Sequence, residues 1–255
     1  MKPSPAATDR TLPDGRQRSP RPAELLRSGG SVLRRVPGMA LTTWRYLAHR
    51  SSVDHEIVDH AGLPGHAPDA DRPLPGDDAT LLRRSSGRGP LYQRTYEVVV
   101  DDARTGPEEL VTRLLNDPNR ASPTEVSDFE AADGGRRDPG AEFAVRMPGP
   151  WDAPVRVVER TPVSFRFATL RGHMEAGEIE FRAAWADGGR LVFTIESWAR
   201  SGDRLYDWMY DKVPLAREMQ LHMWVHVCEQ VAQMAGGRPG RVQVTTHRWK
   251  AAARG

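Results

Sequence analysis

Apolar and polar residues alternate in several short segments of the second half of the chain, and this alternation predicts β-strands. In residues 91–100 the apolar side chains of Tyr96, Val98 and Val100 share one face, as in a half-buried strand. The same period recurs in five later segments: 141–149, 155–160, 163–171, 178–185 and 190–200. The Asp-Gly-Gly at residues 187–189 predicts a hairpin between the last two segments.

Two segments have helical spacing instead. In residues 105–117 the apolar positions recur every three or four residues after Pro107, which suits a first helical turn. A longer helix is predicted from Pro214 to the glycine pair at 236–237, a typical helix end. This order of elements predicts the α+β class, with a curved antiparallel sheet wrapped around the long C-terminal helix. Such a fold leaves an interior that can hold a ligand.

The parts outside this pattern are polar. Residues 1–90 are interpreted as an N-terminal extension that is partly disordered, with a basic amphipathic helix near 31–50 and an acidic loop at 51–90. Residues 237–255 are interpreted as a basic tail with a short strand at 241–246. The folded domain is therefore predicted at 91–236.

Composition limits the possible partners. The net charge of +2 argues against a nucleic-acid-binding protein. The one cysteine, Cys228, allows no disulfide and no thiolate cluster, which fits a cytoplasmic location. No apolar run reaches the ~20 residues of a transmembrane helix. Glycine-rich phosphate loops, nucleophile elbows and paired-cysteine motifs do not occur, so we expect neither a cofactor nor a bound metal.

The segment TLRGHMEAGEIEF, which begins at Thr169, contains one histidine and three glutamates. Side chains alternate across a strand, so Phe181 marks the inner face and Glu175 shares it, unless a bulge at Gly177 shifts the count. The other two glutamates are expected to face water: Glu178 and Glu180.

The same strand phase selects further inward positions. The expected ligand contacts among them are Thr169, Phe167, Phe193 and Ser197, with Arg171 at the rim. Val163 and Trp185 also fall on the predicted inner face.

Two interpretations of Glu175 and His173 are open. Burial raises the pKa of a carboxyl and a neighbouring arginine lowers it, so Glu175 could be a general acid or base, with His173 as a second proton carrier. Alternatively, both side chains are structural and bind free backbone groups at a glycine-rich junction.

The long helix offers a second set of candidates. Its methionine-rich face is predicted to look into the ligand interior, because methionine suits irregular apolar ligands. The ligand contacts expected on this face are Met219, Met223 and His226. The opposite flank is also apolar, and we expect the 31–50 helix or a second subunit of a homodimer to cover it. This flank carries Leu221, Trp224, Val225 and Cys228.

His222, His226 and Glu229 share one stripe of the same helix. Two histidines four residues apart can bind a metal, but helical metal motifs of this kind carry a glutamate between the histidines. Here that place is taken by apolar residues, so no metal site is expected.

The central segment carries a family resemblance. Nine positions match the pattern F-x-Y-G-T-L-x-G-H-x-E-x-G-E-E-x-F: Phe165, Thr169, Leu170, Gly172, His173, Glu175, Gly177, Glu178 and Phe181. The chain thus resembles an uncharacterised bacterial and plant family described only as a domain of unknown function, and departs from it at Ala168. The resemblance covers roughly 91–236. It implies kinship with START-like, helix-grip (SRPBCC) folds that bind lipids and small molecules, and it implies no established reaction.

Three functions remain open at the level of sequence. The first is binding of a small, largely apolar molecule between the sheet and the C-terminal helix. The second is an acid–base enzyme of the cyclase, dehydratase or hydrolase type, acting on a secondary metabolite on the same fold. The third is docking of the N-terminal extension to a membrane surface or a protein partner.

Overall fold

The structure is a computed structural model that describes residues 53–61, 79–124, 127–132, 134–147, 152–202 and 214–250. The predicted 31–50 helix lies outside these residues. The described strands are β1 (Val53–Ala61), β2 (Arg88–Asp101), β3 (Asp128–Ala131), β4 (Glu142–Arg146), β5 (Asp152–Arg160), β6 (Ser164–Thr169), β7 (Glu175–Ala186), β8 (Arg190–Ser201), β9 (Arg238–Pro239) and β10 (Val242–Lys250). The described α-helices are α1 (Pro107–Asn116) and α2 (Pro214–Met234).

All these strands join one sheet, in the order β1-β10-β2-β8-β7-β6-β5-β4-β3, with the short β9 beside β2. Every pair is antiparallel except β1 and β10, which run parallel. The predicted α+β class, a curved antiparallel sheet with a long helix near the C-terminus, is confirmed. The hairpin β7–β8 and both helices lie where the sequence predicts them.

The sheet continues on both sides of the range 91–236. The interpretation of 51–90 as a loop is wrong for residues 53–61, which form β1, and the strand expected at 241–246 extends to Lys250. β1 forms a parallel backbone ladder with β10, and polar side chains meet across it: His55 Nε2 lies 3.1 Å from Thr246 Oγ1, and Asp59 accepts hydrogen bonds from Arg248. A strand whose contacts are polar has no apolar period by which it could be recognised.

Both helices pack on one face of the sheet, called the inner face below. α1 lies against β6 and β7, and α2 lies against β2 and β8. The rings of three phenylalanines meet beneath the helices, with centroids 4.7 to 5.9 Å apart. They are Phe165, Phe167 and Phe181, each with 3% or less of its surface exposed. Burial of such a side chain contributes about 1.5–3 kcal/mol, so this cluster is a main source of stability.

Two positions predicted on the inner face are exposed. Val163 is 38% exposed, because it lies in the turn between β5 and β6 rather than in a strand. Trp185 is 52% exposed, because it lies near the β7–β8 hairpin, at the end of β7. Strand alternation alone does not tell where the covering helices stop.

The opposite, outer face is partly covered by the segment before β2. Leu81 bridges to Leu170 and packs with Val158 and Ala168 in a second small core. Arg84 lies 3.8 Å from the Glu178 carboxylate, whose other partner is Arg166. The expectation that Glu178 faces water is therefore wrong: its side chain is only 13% exposed. Glu180 is 27% exposed and pairs with Arg182.

Candidate functional site

Glu175 lies on the inner face. The register of β7 against β8 runs unbroken from Glu175, opposite Ser201, to Phe181, opposite Ile195. A bulge at Gly177 does not occur in this pairing, so residues with odd numbers in β7 stay on one side. The predicted inward phase of Glu175 holds.

The Glu175 carboxylate meets α2 through Gln220. The Gln220 amide nitrogen donates to Glu175 Oε2 at 3.0 Å. The amide oxygen of the same side chain accepts from Arg94 Nη1 of β2 at 2.6 Å. One neutral amide thus links a carboxylate and a guanidinium across the interior. This charged pair, Glu175 and Arg94, together with its bridging Gln220, is called the amide-bridged pair below.

The electrostatics of the amide-bridged pair are dominated by burial. Desolvation raises the pKa of the Glu175 carboxyl, while the Arg94 charge and the Gln220 hydrogen bond act in the opposite direction and only partly offset it. Arg94 is 8% exposed, and its guanidinium carbon lies 5.1 Å from the centre of the Tyr92 ring. This distance fits a cation–π contact, which fixes the direction of the guanidinium.

Arg94 was missed at the sequence level, although a signal for it exists. It lies in phase with Tyr96 and Val98 in β2, and alternation therefore places it on the inner face. Its charge made it look like a surface residue, since arginine is rarely buried without a partner. The partner, Gln220, lies 126 positions further along the chain.

His173 contacts Glu175 through the backbone rather than through the carboxylate. Its Nδ1 accepts the Glu175 backbone N–H at 2.9 Å. Burial lowers the pKa of His173 to about 4, so the ring is neutral near pH 7. An accepting Nδ1 places the ring proton on Nε2. In this arrangement His173 caps the start of β7, which is the structural interpretation of this residue.

Thr169 and Gly177 explain another part of the motif. The Thr169 hydroxyl accepts the Gly177 N–H at 3.0 Å and lies 3.0 Å from the carbonyl of Leu82. A Cβ at Gly177 would lie 2.0 Å from the Trp198 carbonyl oxygen, so β7 and β8 approach too closely there for any side chain. These two motif residues determine the local fold.

The remaining predicted contacts of the sheet are spread over the inner face and its rim. Phe167 and Phe193 are core residues, 2% and 0% exposed. Ser197 lies directly opposite Arg94 in the β2–β8 ladder and is partly buried. Arg171 is exposed, as expected of a rim position. The structure therefore brings Ser197 next to Arg94. Ligand contacts by these four residues and by Thr169 stay predictions.

The flank of α2 that was predicted to point away from the sheet packs on it, and Met234 of the methionine-rich face packs against the same core. Trp224 packs edge-on against Phe181, with ring centroids 5.6 Å apart, and Leu221 and Cys228 belong to the same side. The prediction that the flank with Leu221, Trp224, Val225 and Cys228 points away from the sheet is therefore wrong. The error arose because the helix is apolar on most sides, so its pattern does not select one face.

The orientation of α2 determines where its three predicted ligand contacts lie. His226 follows Trp224 by two residues, which is about 200° around a helix, so it lies on the side away from the sheet. Met223 is 8% exposed but is not part of the main core cluster. The side chain of Met219 lies outside the described residues. Ligand contacts by these three residues, and a homodimer through α2, stay predictions.

Two further findings concern the part of the chain that the structure describes. No group of three or more His, Cys, Asp or Glu residues there is placed to hold a metal ion. No helix there is long and apolar enough to cross a membrane.

Comparison with known proteins gives a family match and distant structural likenesses. The chain matches none of the curated proteins in sequence. A hypothetical protein from Helicobacter pylori is 12% identical at a TM-score of 0.41, covering 55% of this chain and 86% of its own. A point mutant of norcoclaurine synthase from Thalictrum, in complex with a transition-state analogue, is 8% identical at 0.40, covering 58% and 98%. A conserved protein from Geobacillus kaustophilus is 13% identical at 0.39, covering 58% and 99%.

The family match covers the strands from β3 to β8 and the whole of α2. It includes the Glu175 and Gln220 members of the amide-bridged pair, whereas Arg94 precedes it. The resemblance seen in the motif between Phe165 and Phe181 is confirmed for residues 121–235, which match the family described as Domain of unknown function (DUF1990).

Proposed function

We propose that this protein binds a small, largely apolar molecule between the sheet and α2, beside the amide-bridged pair. One observation carries the proposal: a carboxylate and a guanidinium lie on the inner face and are joined through Gln220 rather than directly. The polar group of a ligand could take the place of one partner in these hydrogen bonds and so contact all three side chains.

The energetics support a role for these groups beyond stability. Burial of two charges costs several kcal/mol per ion, and apolar residues of similar volume often stabilise a core better than a buried ion pair does. The surrounding interior is apolar, with Phe181 and Trp224 in contact on one side. Polar groups that are placed precisely in an apolar surrounding are typical of ligand sites.

Apolar surface is available close to the charged groups. Ile179, opposite Ser197 in β8, and Leu221, next to Gln220 in α2, are only partly buried although both pack against the main core. Their unburied surface would gain about 25 cal/mol for each Å² that a ligand covers. The combination of partly covered apolar side chains and a central polar group favours an amphiphilic ligand.

Native mass spectrometry of the freshly purified full chain, followed by a thermal-shift screen of lipids and metabolites, tests the proposal. We expect a bound species or a rise in melting temperature for wild type, and a response of different size for Glu175→Gln, because this substitution changes the charge of the site. Glu180→Gln serves as the matched control, because Glu180 lies on the outer face of the same strand. Equal responses of all three proteins, or no response to any compound, would refute binding at this site.

A second function has one observation in its favour. The pKa of Glu175 is raised by burial, and a carboxyl tuned toward neutrality can exchange a proton with a bound molecule. Glu175 would then be the catalytic acid or base, and the neutral His173 would be a positioning residue for β7. The test is the mass of the bound molecule over time: conversion by wild type and binding without conversion by Glu175→Gln would establish an enzyme.

A further inference from the structure

The two charged side chains of the site are the buried Arg94 and the partly buried Glu175, and only Glu175 can lose its charge. A guanidinium stays protonated at every pH that a folded protein tolerates. That of Arg94 is also held in place, by the Tyr92 ring at 5.1 Å and by Gln220 at 2.6 Å. The Glu175 carboxylate, in contrast, becomes neutral when it binds one proton. The permanent charge of the site is therefore positive, and the adjustable charge is negative.

We propose, on the basis of the binding function above, that the ligand is an apolar monoanion whose charged group binds Arg94 while Glu175 takes up one proton from the solvent. An ionised carboxylic acid is the simplest molecule of this class. The step forms one O–H bond on Glu175 and breaks no bond in the ligand.

Charge balance favours an anion over a cation. Binding of a monoanion together with one proton adds no net charge to the interior. A cation would add one positive charge beside Arg94, which cannot lose its own charge in exchange, and an uncompensated buried charge is strongly unfavourable. A neutral alcohol also adds no net charge, but its hydrogen bond from the guanidinium lacks the charge–charge attraction that an anion gains.

The hydrogen-bonding pattern of the site is compatible with this exchange. The Gln220 amide now donates to Glu175 and accepts from Arg94. If the amide reverses, its oxygen accepts the new O–H of Glu175 and its nitrogen donates to the bound anion. Arg94 then turns its donor from Gln220 to the ligand, so each of these two hydrogen bonds is replaced by a new one.

The groups that face Glu175 do not compete for the proton. In the described residues they are Arg94 of β2, which carries a permanent charge, the neutral amide of Gln220 from α2, and the His173 ring. His173 accepts the Glu175 backbone N–H through Nδ1, and burial keeps the ring neutral. Ser201, opposite Glu175 in β8, does not titrate. Glu178 lies on the outer face with Arg84 and Arg166.

Calorimetric titration of the full chain tests the inference with two matched sets of probes. One set is octanoate, octan-1-ol and octylamine, and the other is 1-naphthoate, 1-naphthol and 1-naphthylmethylamine. We expect the acid of a set to bind at least about tenfold more tightly than its alcohol, since only with the acid are both partners of the hydrogen bond to Arg94 charged. Repeating the titration in buffers of different ionisation enthalpy should show uptake of about one proton per anion bound.

Two matched variants test whether the proton taken up on binding goes to Glu175. Glu175→Gln imitates the protonated carboxyl, so it should bind the acid without proton uptake and with an affinity that does not change with pH in the range where Glu175 titrates. Glu180→Gln should keep the uptake seen in wild type. Tighter binding of an alcohol or amine, or anion binding by wild type without proton uptake, would overturn the inference and leave the binding function standing. If nothing binds here or in the thermal-shift screen, the binding function itself fails.

Discussion

Glu175 of β7 accepts a hydrogen bond from Gln220 of α2 at 3.0 Å, across 45 positions of the chain. The same Gln220 binds Arg94 of β2, so the long helix connects two strands that are separated in the sheet by β8. Replacement of any one of these side chains therefore changes the hydrogen bonds and the local electric field of the other two.

Glu175→Gln should change how stability depends on pH. A carboxyl whose folded pKa is raised above its ordinary 4.5 holds a proton more tightly in the folded state than in the unfolded state. Wild type therefore loses stability as the pH rises from 4.5 through the folded pKa of Glu175, by at most about 1.4 kcal/mol per pH unit. The free energy of unfolding of Glu175→Gln, relative to wild type, should rise over the same interval in urea titrations. Identical pH profiles of the two proteins would contradict a desolvated Glu175.

Arg94→Met should destabilise the protein, because it leaves the Glu175 carboxylate buried without a nearby positive charge. Removal of one partner of a buried ion pair costs about 3–5 kcal/mol, and the loss should shrink in acid as Glu175 becomes neutral. Arg182→Met is the matched control on the outer face, where Arg182 is 39% exposed, and should cost at most about 1 kcal/mol. Urea midpoints measure both. In the double variant Arg94→Met/Glu175→Gln part of the stability should return, and strict additivity would count against coupling through Gln220.

His173→Asn should make the protein less sensitive to acid. The pKa of His173 falls from 6.5 to about 4 on burial, so between these values the unfolded state binds a proton that the folded state does not. Stability contributed by the neutral ring is present above pH 6.5 and is lost as the pH falls toward 4. Asparagine keeps an acceptor that can bind the N–H two residues on, and it does not titrate. An NMR titration of the His173 ring checks the pKa directly. An ordinary value near 6.5 would show that the ring is not a buried, neutral acceptor for the Glu175 N–H.

Cys228 should report whether α2 stays on the sheet. It is the one cysteine of the chain and has no exposed surface. Burial also raises the pKa of its thiol, which removes the reactive thiolate. We expect no labelling by a thiol reagent in the native protein and full labelling in denaturant. Fast labelling under native conditions would mean that the Leu221–Cys228 side of the helix is open.

A pair of N-terminal deletions tests the role of β1. A variant that starts at residue 51 retains this strand, and one that starts at residue 62 loses it together with the His55–Thr246 and Asp59–Arg248 contacts. We expect the shorter variant to have the lower melting temperature, because β10 then becomes the edge of the sheet. Equal melting temperatures would show that β1 contributes nothing to the stability of the sheet.

Local patterning was sufficient for most of the secondary structure and for one part of the site. Alternation located the strands from β4 to β8 and placed Glu175 inside, because every second side chain of an extended strand points to the same face. Helical spacing and the terminal proline and glycines located α1 and α2. The motif around Thr169 and Gly177 indicated the family, since a close approach of two strands restricts the residue types that fit.

Other features were decided only by the tertiary structure. β1 is held by polar contacts to β10, nearly two hundred positions away, and a polar strand has no apolar period to reveal it. The rotation of α2 about its axis could not be read from a helix that is apolar on most sides, and it depends on the fit of Trp224 to Phe181. Arg94 was in the right phase, but a buried arginine is credible only once its partner is known. The sequence determined which faces are available, and long-range packing decided which of them meet.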